Sequence, residues 1–204
     1  MRDRDLVRLY WPVELRPAFD ALFAIDNTLG EIVANATQSA LGAIRLAWWR
    51  EALVRLDTAP PPLEPRLQAV AEHLLPRGIS GAMLGGIEDS WATLLDEEPD
   101  ADRVAGRGER LFTIGAALLA ADDVKLGEAG RLFALGDVAR RGLLECAAPP
   151  NSLAGHRFPR RLRPLTLLAK LAARDLRQGW PPEPQATPGR ATALLSHRLF
   201  GTIA

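Results

Sequence analysis

Cysteine occurs once in these 204 residues, at Cys146, so no internal disulfide framework is available and a reducing compartment suits the chain. Net charge is missing too. Twenty-five Lys and Arg balance 25 Asp and Glu, which removes the bulk electrostatic case for nucleic acid as a partner. No stretch approaches eighteen uninterrupted apolar residues, so nothing is expected to span a membrane. The opening "MRDRDLVRLYW" sets charges where a signal peptide needs an apolar run. The expected location is cytoplasmic, with peripheral contact at the inner membrane as its variant. P-loop, Rossmann glycine fingerprint and Cys/His zinc spacing are all lacking. His73, His156 and His197 are isolated in sequence, and no Ser or Cys sits in a recognisable elbow, which argues against a nucleophilic triad.

What is present is helical. Hydrophobic residues make up 48% and charged residues 25%, the profile of a folded globular chain able to bury a core. Arg, Ala and Leu dominate and β-branched residues are sparse. Pro17 suits the first turn of a helix reaching Ala34, with Phe19, Leu22, Phe23, Leu29 and Val33 inward. Thr37 or Ser39 is placed to cap the next helix, whose apolar positions Leu41, Ile44, Trp48, Ala52 and Leu56 keep helical spacing. That helix ends before the prolines of "TAPPPLEP". Further helices are expected over Glu64–Leu75, from Ser80 to before Pro99, over 101–121 (Val104, Leu111, Ile114 and Leu118 inward), and over Gly127–Glu145. After the loop "CAAPPNSLAGHRFP" come a basic helix in "RRLRPLTLLAKLAARDLRQG" and a short terminal one over Gly189–Phe200. No alternating strand pattern or internal repeat is found. The expectation is an all-α, single-domain helical bundle over 1–204, with roughly seven to eight helices.

Three tracts stand out. "LFAIDNTLGEIVAN", residues 22–35, sets Asp26, Asn27 and Glu31 among apolar positions. "IRLAWWREAL", residues 44–53, places Arg45, Trp48 and Trp49 within one turn, followed by Arg50. Adjacent tryptophans on a helix point about 100° apart, so at most one faces a core centre. The run from Arg157 to Arg177 holds seven Lys or Arg against the single acid Asp175. It is suited to an anionic membrane, to a phosphorylated ligand, or to pairing with the acidic stretch Glu88–Asp102.

"ALFAIDNTLGEI", then "IRLAWWREAL", then "GGIED" on a later helix resembles the squalene/phytoene synthase family. The branch it is most similar to contains bacterial relatives of the mitochondrial complex I assembly factor. The resemblance runs from about residue 8 to residue 177 and implies a bundle of the isoprenoid synthase type, shortened at its C-terminus. In active members two aspartate-rich motifs on facing helices hold Mg²⁺, which bridges diphosphate to carboxylate oxygens. Laid on this chain, the first motif's Asp-Asp-x-x-Asp falls on Gly30, Glu31 and Ala34, with Asp26 and Asn27 where the family has Cys and Arg. The second offers Asp137 and the distant Glu145, with Arg140 and Arg141 where acids are wanted. Glu88 and Asp89 match a family segment that is not its principal metal motif.

Two readings follow from the resemblance. In the first, the protein is a squalene/phytoene synthase-like pseudoenzyme with degenerate motifs and no cofactor. It acts as a binding or assembly/scaffold module, holding a prenyl diphosphate or lipid-like ligand, or meeting a membrane surface or a respiratory assembly partner. In the second it is an active Mg²⁺-dependent prenyltransferase that condenses prenyl diphosphates in isoprenoid biosynthesis. Glu31, Asp26 and Asp137 are then the catalytic candidates and Glu31, Glu88 and Asp89 the metal candidates. Arg45, Arg50, Trp48 and Trp49 would hold the diphosphate in either case.

Overall fold

A computed structural model describes residues 3–146, 152–179 and 181–203. Those residues form helices and connections without a strand. The order is α1 (Asp3–Arg8), α2 (Arg16–Ala34), α3 (Ser39–Arg55), α4 (Pro65–His73), α5 (Gly81–Gly85), α6 (Glu88–Ala92), α7 (Ala101–Leu119), α8 (Leu126–Arg140), α9 (Arg163–Gln178) and α10 (Pro188–Phe200). The all-α bundle expected from periodicity is what forms. None of the described helices is long and apolar enough to cross a membrane. Of the loop expected at "CAAPPNSLAGHRFP", residues 147–151 lie outside the described part, as does Trp180.

Local chemistry sets most helix ends. Asp100 caps α7 by accepting from the backbone N–H groups of Asp102 and Arg103, and Ser80, Glu64 and Thr187 do the same for α5, α4 and α10. Neither Thr37 nor Ser39 caps α3. Ser39 is already helical, and Gln38 precedes it without a side-chain bond. Two expected helices are shorter than their periodicity suggested. The segment from Ser80 breaks after Gly85 into α5, α6 and a 3-10 turn. Helix α8 stops at Arg140 rather than Glu145, because Gly142 turns left-handed (φ 69°) and the Leu143 N–H reaches back to the Val138 carbonyl.

The most extensive helix–helix contact is between α7 and α8. A Cβ on Gly108 would lie 1.7 Å from the Gly130 carbonyl oxygen, and one on Gly130 would lie 2.3 Å from that of Gly108. Glycine at both positions is therefore what lets these backbones meet. Helix α9 packs on α8 and α10 on α9, while α6 and, more lightly, α2 meet α7, and α3 lies on α5, α6 and α2. Phe19, Phe23, Phe112 and Trp11 stack through the centre, with Phe133 against Phe23 and Phe112. Around these rings the interior is closely packed: Phe19, Leu22, Leu29, Trp91 and Leu111 have no exposed surface.

Helix α3 lies in a different phase from the one expected. Gly42, Leu46, Trp49 and Leu53 are buried, followed by Leu56 just past the helix end, whereas Leu41, Ile44 and Trp48 are 48%, 66% and 50% exposed. Both rows have legitimate helical spacing. Packing against α5 and α6 selects the row containing Gly42, which sits against Leu95.

Candidate functional site

On α2, Asp26 is turned toward α6 and α7 and Asn27 toward the C-terminal end of α8. Asp26 is fully buried. One of its oxygens accepts from the Trp91 indole N–H at 3.0 Å and from Arg107 Nη1 at 3.1 Å. Arg107, entirely inside the protein, reaches in the other direction to Asp137 Oδ2 at 2.8 Å and the Ala134 carbonyl at 3.3 Å. Arg141 donates to the same Asp137 oxygen at 3.1 Å and to Asn27 Oδ1 at 3.1 Å. The guanidiniums of Arg107 and Arg141 also lie over the Trp91 ring, 4.1 and 5.3 Å from its centroid. Burial alone would raise the Asp137 carboxyl, but Arg107, Arg141 and Arg4 overcome it and bring the pKa to about 2.

A second ionic group stands beside the first. Asp175 on α9 takes both Arg140 (2.9 and 3.0 Å) and Arg190, and Arg190 also meets Asp3 at 2.7 Å. Arg140 adds the Glu183 carbonyl at 2.7 Å. Between the two groups lies a cavity of about 280 Å³. Asn27 and Glu31 form one wall, Gly136, Asp137, Arg140 and Arg141 the floor, and Leu168, Leu171 and Ala172 the apolar side. Asp3 and Arg4 close it from α1, and Gln185 and Arg190 from the C-terminal segment.

The four acids of these two groups, Asp3, Asp26, Asp137 and Asp175, are matched by Arg107, Arg140, Arg141 and Arg190. Arg4 is a fifth guanidinium in the same wall. Among the described residues its hydrogen bonding is one long contact to the Phe23 carbonyl, 3.5 Å, made while it lies over the Phe23 ring. Burial lowers its pKa, with Asp137 and Asp26 opposing the shift. An arginine remains cationic under such conditions. The cavity therefore presents a cation that has no carboxylate bound to it among the described residues.

Of the residues singled out in the sequence, Asp26, Asn27, Glu31 and Asp137 come together here. Glu31 is exposed at the rim, with no partner for its carboxylate among the described residues. Glu88 and Asp89 sit elsewhere: Glu88 meets Arg50 at 3.5 Å and Asp89 meets Arg103 at 2.7 Å. Burial raises the Glu88 pKa against the pull of Arg50. Arg45, Arg50 and Trp48 are exposed on α3, and Trp49 is buried under it. None of the four lines the cavity. The acidic stretch Glu88–Asp102 does not pair with the basic run: its ion pairs among the described residues go to Arg50, Arg103 and Arg131.

Magnesium on diphosphate, as the resemblance implies, requires free carboxylate oxygens converging from two helices. The residues present do not fit that need. At Gly30, where the family pattern has an aspartate, a Cβ would lie 2.7 Å from Trp91 and 2.8 Å from Arg141 Nη1. An indole and a guanidinium fill the space a carboxylate would take. Asp26 and Asp137 already accept from arginines, and no group of three or more ligating side chains is assembled among the described residues.

Arg107, Arg4, Asp175 and Arg190 were not anticipated. For Arg107 a signal existed, since it falls in phase with Val104, Leu111, Ile114 and Leu118 on α7. Arg190 likewise shares the buried face of α10 with Leu194 and His197. An arginine on an apolar stripe calls for a buried partner.

The fold and site together define a helical bundle with an arginine-lined cavity. No family model matches the chain, and neither the curated proteins nor the solved structures contain a significant match to it.

Proposed function

We propose that the protein is a non-catalytic binding module with a squalene/phytoene synthase-like bundle, whose cavity holds a small anionic head group directly on arginine. The observation that carries this reading is the pairing of the inward acids with guanidinium. Asp26 on α2 and Asp137 on α8 are held by Arg107 and Arg141, and Arg4 in the cavity wall has no carboxylate partner among the described residues. Guanidinium–phosphate or guanidinium–carboxylate bonds need no metal and are strong in a partly desolvated site. At about 280 Å³, the space falls at or below the lower end of the roughly 300–1,000 Å³ typical of small-molecule sites. It suits a phosphate or diphosphate head better than two prenyl chains. An assembly or scaffold role at a membrane surface is compatible with such a module, because ligand occupancy would stabilise the wall formed by α1 and α10.

Titration calorimetry with inorganic pyrophosphate, in buffer containing EDTA, tests this. Binding is expected without Mg²⁺. Arg4→Met should weaken it about 10- to 100-fold, the usual effect of losing a hydrogen bond to a charged group, while Arg45→Met leaves it unchanged. The opposite ranking would move the anion site to the exposed face of α3. Release of pyrophosphate from farnesyl or geranylgeranyl diphosphate in the presence of Mg²⁺, abolished by Glu31→Gln, would establish the prenyltransferase reading instead.

A further inference from the structure

At the end of the molecule where α9 begins and α10 finishes, positive charge and apolar surface coincide. Arg163 is committed to the fold: it donates to the Phe158 carbonyl at 3.0 Å and to the Arg198 and Leu199 carbonyls at 3.1 and 2.8 Å, capping α10. Around it stand Arg157, Arg160 and Arg198, all exposed. Burial lowers the Arg163 pKa, and Arg160, Arg198 and Arg157 lower it further, which places all four guanidiniums in one field. Among the described residues, Arg157, Arg160 and Arg198 have no hydrogen bond or ion pair from their side chains. Neither 157–163 nor 188–200 contains an acid.

Beside these cations α10 exposes an apolar row. Leu195 and Leu199, one turn apart, are 52% and 60% exposed, and Phe200 is 59% exposed. Arg190, Leu194 and His197 take the opposite, buried face of the helix. Three unpaired guanidiniums flanking exposed leucine and phenylalanine match an interface with two layers, anionic outside and apolar beneath. A bilayer surface rich in acidic lipid has that structure. An acidic protein would satisfy the arginines but offer no reason for the leucines and phenylalanine beside them.

We propose that this end of the molecule docks on an anionic lipid bilayer, with Arg157, Arg160 and Arg198 at the head groups and Leu195, Leu199 and Phe200 entering the acyl boundary. This sharpens the membrane part of the reading above but does not depend on the cavity. The test is co-sedimentation with vesicles of phosphatidylcholine alone or with phosphatidylserine added. Binding is expected for the mixed vesicles, falling as salt rises. Each arginine should contribute about fivefold, so the triple variant Arg157→Gln, Arg160→Gln, Arg198→Gln should bind on the order of a hundredfold more weakly. Leu199→Ser with Phe200→Ser should weaken vesicle binding but leave polyglutamate binding unchanged. All these side chains are exposed and unpaired, and a circular dichroism melt verifies that the variants fold. Three results would overturn the proposal: no preference for acidic vesicles, equal binding by the triple variant, or a double variant that binds vesicles as well as the parent. The last, with polyglutamate binding retained, would identify an acidic protein as the partner. Arg4→Met serves as the separating control, since it should abolish neither vesicle binding nor its salt dependence.

Discussion

Arg107 is a charge with no exposed surface, held between Asp26 on α2 and Asp137 on α8. Taking each ion out of water costs several kcal/mol, and the mutual attraction offsets this only while the partners are complete. Asp26→Asn leaves the guanidinium leaning on Asp137 alone and weakens the acceptor for the Trp91 indole. Unfolding in urea is expected to show a loss of about 3–5 kcal/mol, far more than for the exposed pair Arg8–Asp20. An unchanged midpoint would mean that water or another carboxylate compensates. Asp26 was legible in sequence as an acid on an apolar helix. Its partner Arg107 carried only the weaker signal of its place on the apolar stripe of α7, because a local reading places an arginine in solvent by default.

At the scale of the element, α3 carries two apolar rows, and sequence does not decide between them. Leu41–Ile44–Trp48 and Leu46–Trp49–Leu53 both fit a helix, and the difference comes from Leu95 and helices α5 and α6 meeting the second row. Trp49→Ala should therefore cost about 3–5 kcal/mol in chemical denaturation, while Trp48→Ala costs under about 1. Equal losses would show that the edge contact between the rings carries more than burial does. Where a helix had one row, as in α2 and α7, its existence and inward face were readable from spacing. Ends were less so. Gly142 stops α8 by its backbone conformation and Gly85 precedes the break after α5, whereas apolar spacing continues past both.

Across the whole molecule, acid should act in two stages. His197 is buried between α9 and α10, with Nε2 2.8 Å from Thr166 Oγ1 and Nδ1 2.8 Å from the Thr202 carbonyl. That carbonyl can only accept, so Nδ1 carries a proton, and in the neutral ring Nε2 accepts from the threonine hydroxyl. Burial lowers its pKa from 6.5 to about 4, the bond to Thr202 opposing and Lys170 and Arg163 assisting. The unfolded chain takes up this proton below about 6.5, the folded one only near 4. Stability is thus complete above 6.5 and falls as pH drops toward 4, by on the order of 3 kcal/mol. Asp137, about 2 when folded against 3.8 otherwise, adds a second loss between 3.8 and 2. Urea midpoints measured from pH 7.5 to 3 should decline accordingly, and His197→Gln should flatten the first stage whatever its absolute stability. A parallel decline in that variant would assign the slope to other groups.

The cavity itself was beyond local reading, because its wall joins residues far apart in the chain. Asp3 accepts from the Ala186 backbone N–H at 2.8 Å and pairs with Arg190. During synthesis α1 emerges well before α10, so Asp3 and Arg4 stand without this wall until Arg190 has been made. The closing contact spans over 180 residues and carries a correspondingly large loop entropy. Any nascent chain that ends short of Arg190 has helices α1 to α9 but not the closed cavity.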